Sequence, residues 1–144
     1  MSNNTSSIVS KVWSFCNPLR DVGVGYGDYL EQLTYLLFLK MADEYGKPPH
    51  NRVLNIPKTY NWESLTAKKG AELELHYATL LRELSTQKGI LGQIFTKSQN
   101  KIQDPAMLAK IIDMIDSEQW LVMGADVKGD IYEKLLEQNA QDVK

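Results

Sequence analysis

The chain has 144 residues, of which 43% are hydrophobic, and its formal net charge at pH 7 is −2. A chain of this length and hydrophobic content fits one ordinary globular domain with its own core. Cys16 is the single cysteine, which excludes an internal disulfide, and no cysteine–histidine cluster has the spacing of a zinc site. We therefore expect a protein of the reducing cytoplasm that needs neither a disulfide nor a metal ion.

The sequence shows no targeting or membrane segment. Its amino terminus, Met-Ser-Asn-Asn-Thr-Ser-Ser, lacks the basic start and continuous apolar centre of a signal peptide. The longest apolar run, residues 35–39, is far shorter than the roughly 20 residues that cross a bilayer. We predict a soluble protein without a membrane partner.

Apolar residues recur at helical spacing nearly everywhere, and no segment alternates as a half-buried strand would. We predict an all-α fold, a compact bundle of about five to six helices with a proline-containing basic loop. The first helix is predicted over residues 6–17, with Ile8, Val12 and Phe15 on one face. Pro18 is expected to end it, because proline disfavours helical geometry in the preceding residue.

Three glycines, Gly23, Gly25 and Gly27, stand at alternate positions before the second predicted helix. A dinucleotide-binding loop would have glycines in a G-x-G-x-x-G order after a strand, whereas the segment before these glycines has a helical pattern. A flexible connector explains them with fewer assumptions. The helix is predicted to begin at Asp28, with the Asp28 carboxylate as its cap and Glu31 completing a capping box.

The second helix, predicted over residues 29–45, is apolar around most of its circumference and ends at Gly46. A helix of this kind is normally central, with partners on several sides. Its predicted core positions are Tyr29, Leu30, Leu33, Leu36, Leu37, Phe38 and Met41.

A proline-containing loop follows, from Lys47-Pro48-Pro49-His50 through Pro57 to Trp62. The third helix is predicted over residues 71–85, and residues 90–95 are predicted to form a short helical turn.

Two further helices are predicted in the last third of the chain. Asp104 and Pro105 stand in the favoured order of a helix cap followed by a first-turn proline. The last helix is predicted from about Asp126, and the sequence after it is expected to be a cut end rather than a natural finish.

Positive charge concentrates in two loop-like segments. Residues 46–70 carry five basic side chains against the single acid Glu63, and residues 85–103 carry three lysines and no acid. Residues 104–144 carry nine acidic side chains against four lysines, so this part is a poor candidate for phosphate contact. Each basic segment is either an ordinary solvated loop or a phosphate-contacting surface.

No set of catalytic groups stands out in the sequence. Cys16, His50 and His76 supply all the thiol and imidazole groups, and nothing in their spacing supports a nucleophile–base pair. Cys16 is predicted to be a small buried residue, and His76 to lie at the edge of an apolar helix face. Asp113 and Asp116 are predicted to face solvent, which leaves general acid–base catalysis unsupported.

Tyr60 and Trp62 lie in a basic, turn-like setting, where aromatic rings offer stacking platforms for bases. Core packing is the alternative for both rings, and it is the favoured one. Core packing is also predicted for Trp13 and Trp120.

Several motifs occur in one order along nearly the whole chain. They are Trp13 with Leu19-Arg20, Tyr29-Leu-Glu-Gln-Leu-Thr34, Leu36-Leu-Phe-Leu-Lys-Met-Ala-Asp-Glu44, Trp62 with Leu65, Ile94-Phe95, Lys101-Ile-Gln-Asp-Pro105 and Asp126-Val-Lys-Gly-Asp-Ile-Tyr-Glu-Lys-Leu-Leu136. The most specific pair is Leu-Leu-Phe-Leu-Lys-Met followed by Lys-Gly-Asp-Ile-Tyr-Glu. In this order the chain resembles the N-terminal helical domain of the modification (methyltransferase) subunit of type I restriction-modification systems.

The resemblance implies a parent enzyme that transfers a methyl group from S-adenosylmethionine to the exocyclic amine of adenine in DNA. Two modification subunits would join one specificity subunit, with a restriction subunit in the full complex. The resemblance also implies that residues 1–144 form a single helical domain that precedes the catalytic domain, whose cofactor loop follows soon after Gly129-Asp-Ile-Tyr-Glu133. No catalytic, cofactor-binding or metal-binding residue is therefore expected in this chain.

The family binds the target amine with an Asn-Pro-Pro-aromatic motif, and two near matches in this chain are not equivalent to it. Asn17-Pro18-Leu19 lacks the second proline and the aromatic residue. Lys47-Pro48-Pro49-His50 lacks the amide that accepts from the amine. Neither is predicted to be catalytic.

We predict a DNA-enclosing and subunit-assembly domain. The candidate DNA-contacting residues are Lys47, Arg52, Lys58, Tyr60, Lys68, Lys69, Lys97 and Lys101. The candidate contacts to the catalytic domain form a stripe on the last predicted helix, Ile131, Tyr132, Leu135 and Leu136. The alternatives are a stand-alone helical adaptor for protein interactions and an independent enzyme.

Overall fold

The computed structural model describes residues 10–48, 51 and 56–120. These residues form helices and loops without a strand, which confirms the predicted all-α bundle. After a helical stretch at residues 10–14, the described part of the chain contains six helices and a 3₁₀ turn at Lys58–Tyr60. The helices are α1 (Cys16–Asp21), α2 (Tyr26–Tyr45), α3 (Trp62–Thr66), α4 (Gly70–Ser85), α5 (Ile90–Ile94) and α6 (Pro105–Asp116).

The prediction that Pro18 ends the first helix is wrong. The helical stretch at residues 10–14 turns at Phe15 and the chain continues as α1, which contains Pro18 as its third residue. Proline is tolerated in the first turn of a helix, because the amide hydrogen that it lacks has no intrahelical acceptor there. Cys16 and Leu19 are both buried, so core packing favours the continuation into α1.

Helix α2 begins earlier than predicted, and Asp28 is not its cap. Gly25, with an extended backbone, is the N-cap residue, and no side chain caps this end. The Tyr26 ring is buried, and the Tyr29 hydroxyl donates to the Val12 carbonyl oxygen at 2.9 Å. Packing of these two rings therefore decides where the helix starts. Asp28 lies in the first turn, where its negative charge complements the helix dipole.

Helix α2 is the central helix, as predicted, and contacts α1, α3 and α6. Gly46 follows its last residue as predicted, although the Gly46 backbone is right-handed and does not require glycine. Its predicted core positions all lie in or against the core: Tyr29, Leu33, Leu36 and Leu37 are buried, and Leu30, Phe38 and Met41 are partly buried.

Helix α3 ends the proline-containing loop and is absent from the sequence prediction. The Asn61 side-chain oxygen caps it by accepting from the Ser64 amide at 3.0 Å. Trp62 and Leu65 point from this short helix into the core and are buried. The sequence does contain the signal, an asparagine directly before an apolar pair spaced three residues apart.

The remaining helices lie where the sequence predicts them. Helix α4 begins one residue before the predicted range of 71–85, and α5 coincides with the predicted turn at 90–95. Asp104 caps α6 by accepting from the Ala106 amide at 3.0 Å. Helices α4 and α6 pack against each other. Their buried side chains are Leu73, Tyr77, Leu80, Leu81 and Leu84 on α4 and Leu108, Ile111, Ile112, Met114 and Ile115 on α6.

A first polar cluster joins α2, α4 and the loop that precedes α6. The Gln32 amide donates to the Gln99 carbonyl oxygen at 2.8 Å, and the Gln32 side-chain oxygen accepts from the Tyr77 hydroxyl at 2.7 Å. Gln32 is fully buried, so it depends on these partners to offset the loss of water. Ser98 adds a hydrogen bond from its hydroxyl to the Leu81 carbonyl oxygen at 3.1 Å.

A second polar cluster surrounds the Lys40 ammonium group, which lies 3.7 Å from Glu44 and 3.5 Å from Asp116. The Trp62 indole donates to the same Asp116 oxygen at 2.8 Å, and the Trp120 amide donates to Glu44 at 3.0 Å. The prediction that Asp116 simply faces solvent is therefore incomplete. Its side chain is half exposed, yet it joins α2, α3 and α6.

Some predicted features lie outside the described residues, namely the helix from Asp126, its stripe at Ile131, Tyr132, Leu135 and Leu136, and Arg52. None of the helices described here has the length and apolar character of a membrane span. The same ranges contain no group of three or more histidine, cysteine or acidic side chains that suits a metal ion.

Candidate nucleic-acid interface

Four of the candidate DNA-contacting residues surround the amino-terminal end of α4. Lys58 and Tyr60 lie in the 3₁₀ turn, which packs against α3 and α4, and Lys68 and Lys69 connect α3 to α4. Lys58 and Lys69 are exposed, and Lys68 is half-buried. These four residues are called the basic corner below. Gly70, with a φ of 59°, supplies the left-handed turn into α4 that a residue with a side chain rarely adopts.

His76, on the second turn of α4, holds the basic corner together. Its ring stacks on Tyr60, with centroids 6.0 Å apart and an interplanar angle of 25°. Its Nε2 atom lies 2.9 Å from the Ser64 hydroxyl oxygen on α3. The 3₁₀ turn, α3 and α4 therefore meet at one imidazole ring, which fixes the orientation of the corner.

The hydrogen bonds of Ser64 assign a tautomer to the neutral His76 ring. Ser64 has one hydroxyl proton, which it donates to the Asn61 carbonyl oxygen at 2.6 Å. The contact with His76 then requires Nε2–H to donate to the Ser64 oxygen, which leaves the lone pair on Nδ1. In the described ranges Nδ1 makes no hydrogen bond, and the His76 side chain is half-buried.

The Ser64–His76 contact is not the activated pair of a hydrolase. The serine proton is committed to Asn61, so His76 does not accept it, and in the described ranges no carboxylate hydrogen-bonds to Nδ1. Burial lowers the pKa of His76, and the nearby Lys68 charge lowers it further, while Glu72 acts in the opposite direction. Burial and Lys68 therefore favour the neutral form of the imidazole.

Lys97 and Lys101 lie in the loop between α5 and α6, well away from the basic corner. Lys97, which is exposed, has a left-handed backbone with a φ of 56°. The bonds from Gln32 to Gln99 and from Ser98 to Leu81 hold this loop against α2 and α4. Because Lys69 and Leu81 are twelve residues apart along α4, the two basic regions are separated by about 18 Å along the helix axis.

Lys101 lines a polar groove of about 450 Å³ beside the first turns of α2 and α6. Asp28 and Asp104 line the same groove. Asn100, also in the lining, accepts from the Ile102 amide at 2.8 Å and keeps the loop in shape. Phosphate contact by Lys101 would therefore take place in a groove that two acidic residues also line.

Lys47 lies in an acidic neighbourhood at the end of α2. Its ammonium group lies 3.0 Å from the Asp43 carboxylate, and this hydrogen bond is the main cause that raises the pKa of Lys47. Glu63 and Asp116 contribute further negative potential at Lys47. Within the candidate set, Lys47 is thus the lysine whose charge is most fully balanced by described carboxylates.

The aromatic candidates separate into two environments. Trp62 is buried and bonded to Asp116, which confirms core packing for this ring. Trp120 is also fully buried, as predicted, and its indole donates to the Ile115 carbonyl oxygen at 2.8 Å. Trp13 is half-buried and packs against the core beside Tyr26. Tyr60 is half-buried with one face against His76, so only its remaining surface is accessible.

Sequence reasoning missed the contributions of His76, Ser64 and Gln32. The cap at Asn61 is a sequence signal from which a helix containing Ser64 can be predicted. The contact between Ser64 and His76 joins two different helices, so no pattern of neighbouring residues predicts it. Gln32 lies among leucines on the central helix and is buried. A polar residue in such an apolar segment is the one sequence signal that predicts a buried hydrogen bond here.

The chain is similar to known proteins over nearly its whole length. Residues 8–115 match the family described as HsdM N-terminal domain. The type I restriction enzyme StySJI methylase subunit of Salmonella typhimurium is 33% identical over 146 residues, covering 98% of this chain and 27% of that subunit. The EcoKI methylase subunit of Escherichia coli K12 is 33% identical over 147 residues, with the same coverage. The chain thus spans about a quarter of the length of these curated relatives.

A solved structure agrees with the sequence comparisons. The crystal structure of the type I restriction enzyme EcoKI M protein superposes with a TM-score of 0.66 at 29% identity, covering 82% of this chain and 24% of that one. These similarities favour the modification-subunit interpretation over the stand-alone adaptor. The chain belongs to the HsdM N-terminal domain family, and the relatives that it matches are methylase subunits of type I restriction enzymes.

Proposed function

We propose that this chain is the DNA-enclosing and subunit-assembly domain at the amino terminus of a type I modification subunit. The observation that carries this proposal is the similarity, over 98% of the chain, to type I methylase subunits. The parent protein transfers a methyl group from S-adenosylmethionine to the N6 amine of adenine at specific DNA sites. Its partners are a second modification subunit, a specificity subunit and, in the full complex, a restriction subunit. It works in the cytoplasm.

In this proposal, residues 1–144 are a single domain that supplies contacts, and the methyl-donor pocket belongs to another part of the parent protein. The Ser64–His76 geometry supports a contact role, since the serine proton is not available for transfer. The stripe at Ile131, Tyr132, Leu135 and Leu136 is the proposed contact to the catalytic domain.

The basic corner is the proposed phosphate-contacting surface. The exposed ammonium groups of Lys58 and Lys69 project from turns that the Tyr60–His76 stack and the α3 cap hold in place. Lysines that contact phosphate release condensed counterions, which makes affinity fall with salt but adds no sequence information. The corner is therefore expected to strengthen binding to any duplex, while specificity resides elsewhere in the complex.

Replacement of Lys68 and Lys69 by alanine in the assembled enzyme tests this role. We expect affinity to fall by the same factor for duplexes with and without the target site. The slope of log affinity against log salt should decrease by about one for each lysine that no longer neutralises a phosphate. The measurement is a binding titration with both duplexes at several salt concentrations.

Lys110→Ala supplies the matched control, because Lys110 is an exposed lysine on α6 outside both basic segments. It should leave affinity and salt slope unchanged. If the Lys68→Ala, Lys69→Ala enzyme behaves like this control, the basic corner does not contact DNA.

A further inference from the structure

We propose that His76 is a proton-binding neighbour of the basic corner, and that its imidazole takes up a proton at Nδ1 when a DNA phosphate lies against the corner lysines. This inference rests on the proposed function, because it concerns the same surface. It assigns a DNA-linked role to a residue that the sequence places only at the edge of an apolar face.

The first step of the argument is position. His76 is in ring contact with Tyr60 and lies close enough to Lys68 for the lysine charge to act on it, so it adjoins the basic corner. Its side chain is half-buried, and its Nδ1 atom has no hydrogen-bond partner in the described part of the chain. A phosphate held by the corner lysines would therefore approach a side chain with an unused nitrogen.

The second step is that protonation breaks no internal hydrogen bond. In the neutral ring, Nε2–H already donates to the Ser64 oxygen, and Ser64 donates onward to Asn61. Protonation adds a hydrogen at Nδ1 and leaves both of these bonds in place. The charged ring then carries one donor toward Ser64 and one toward solvent or phosphate. The surrounding structure needs no rearrangement.

The third step is electrostatic. The described charged groups that act on His76 are Lys68, in the connection before α4, and Glu72, on α4 itself; α3 presents the uncharged Ser64, and the 3₁₀ turn presents Tyr60. Without DNA, burial and Lys68 disfavour the charged ring. A phosphate beside Lys68 would cancel the repulsion from that lysine and attract the imidazolium, so the bound state favours protonation.

The sign of the effect follows from linkage. Bound DNA raises the pKa of His76, so the complex holds more protons than the free protein at pH values between the two pKa values. Affinity must then rise as pH falls through that window and become constant below the pKa of the free protein. The gain is up to about tenfold for each unit by which DNA raises the pKa of His76.

The experiment uses the assembled enzyme and a duplex of random sequence at constant ionic strength, with affinity measured from about pH 8 to about pH 5.5, the range in which histidine titrates. Proton uptake on binding is measured in parallel by calorimetry in two buffers of different ionisation enthalpy. The wild-type enzyme should bind more tightly at low pH and take up protons.

The variant His76→Gln retains an amide N–H that can donate to Ser64 but does not titrate. It should lose the part of the pH dependence and proton uptake that is due to His76, and the comparison with wild type is the change of affinity with pH rather than the affinity at one pH. His50→Gln is the control for the other histidine and should leave that part in place. Both expected results together support the inference.

Wild-type binding that does not change over this pH range would overturn the inference without any variant. So would equal pH dependence and proton uptake in the wild-type and His76→Gln enzymes. If either result is found while the Lys68→Ala, Lys69→Ala enzyme still binds DNA more weakly, the proposed function stands and only the role of His76 fails. If the lysine variant also binds normally, both fail.

Discussion

Gln32 shows how a single polar residue organises this bundle. It lies fully buried on the central helix, with one end of its amide bonded to the Gln99 carbonyl oxygen and the other to the Tyr77 hydroxyl. Tyr77 is fully buried as well, and burial raises the pKa of its hydroxyl. These bonds hold the Lys97–Lys101 loop against the core, so one side chain links the packing of α2 and α4 to the second basic region.

Gln32→Leu should lower the free energy of unfolding by about 2–3 kcal/mol, because it leaves the buried Tyr77 hydroxyl without a partner and removes the hydrogen bond to the Gln99 carbonyl oxygen. Tyr77→Phe should cost less, about 1–2 kcal/mol, since only the Gln32 oxygen loses a partner. Chemical denaturation measures both. The loss of unfolding free energy in the double variant should be smaller than the sum of the two single losses, as expected for residues that share a hydrogen bond.

Gln93→Leu makes the same chemical change at an exposed position on α5 and should shift stability by less than about 0.5 kcal/mol. A Gln32→Leu protein as stable as the Gln93→Leu protein would show that the buried cluster contributes little.

At the scale of the element, helices start by two different means in this protein. Helix α6 starts with a local signal, the Asp104 carboxylate on the Ala106 amide followed by Pro105. Helix α2 has no side-chain cap, and the burial of Tyr26 and Tyr29 defines its beginning. Removal of the first acidic residue should therefore lower the stability of the protein by different amounts at the two helix starts.

Asp104→Ala should destabilise the protein by about 1 kcal/mol, because the cap hydrogen bond is lost. Asp104→Asn keeps an oxygen acceptor and should have a smaller effect. Asp28→Ala, in the uncapped first turn of α2, should cost only about 0.3–0.5 kcal/mol through the helix dipole. Thermal or chemical unfolding of the three variants checks this order, and equal losses for Asp104→Ala and Asp28→Ala would contradict it.

At the scale of the whole molecule, the structural core extends beyond the matched family segment. The family match ends at residue 115, whereas Trp120 is fully buried. Its amide donates to Glu44 on α2 and its indole to the end of α6, so the chain beyond α6 is fastened to the central helix. Residues 116–120 are thus part of the packed domain.

Trp120→Ala should lower the free energy of unfolding by about 3–5 kcal/mol, as expected for removal of a large buried aromatic ring. The comparison variant is Val22→Ala, since the Val22 side chain is 50% exposed and should lose little. Denaturant titration of both variants gives the values. A Trp120→Ala protein with the stability of Val22→Ala would place the ring outside the cooperative core.

The amino-acid sequence by itself determined the features that depend on local chemistry and periodicity. The all-α class follows from apolar spacing, and the central place of α2 follows from apolar side chains on most of its circumference. The range of α4 and the start of α6 follow from the Leu73–Leu84 periodicity and the Asp104–Pro105 order. Each of these signals lies within a few residues of the structure it specifies, so no distant contact is needed to interpret it.

Only the tertiary structure decided how the candidate surface is arranged. Lys47 is drawn into an acidic neighbourhood and Lys101 shares a groove with two carboxylates, although both lie in segments that the sequence shows as basic. His76 joins the basic corner through Ser64 and Tyr60, twelve and sixteen residues away in sequence. These partners come from different elements, and the field at a charged side chain depends on what packing brings near it, which the order of residues along the chain does not specify.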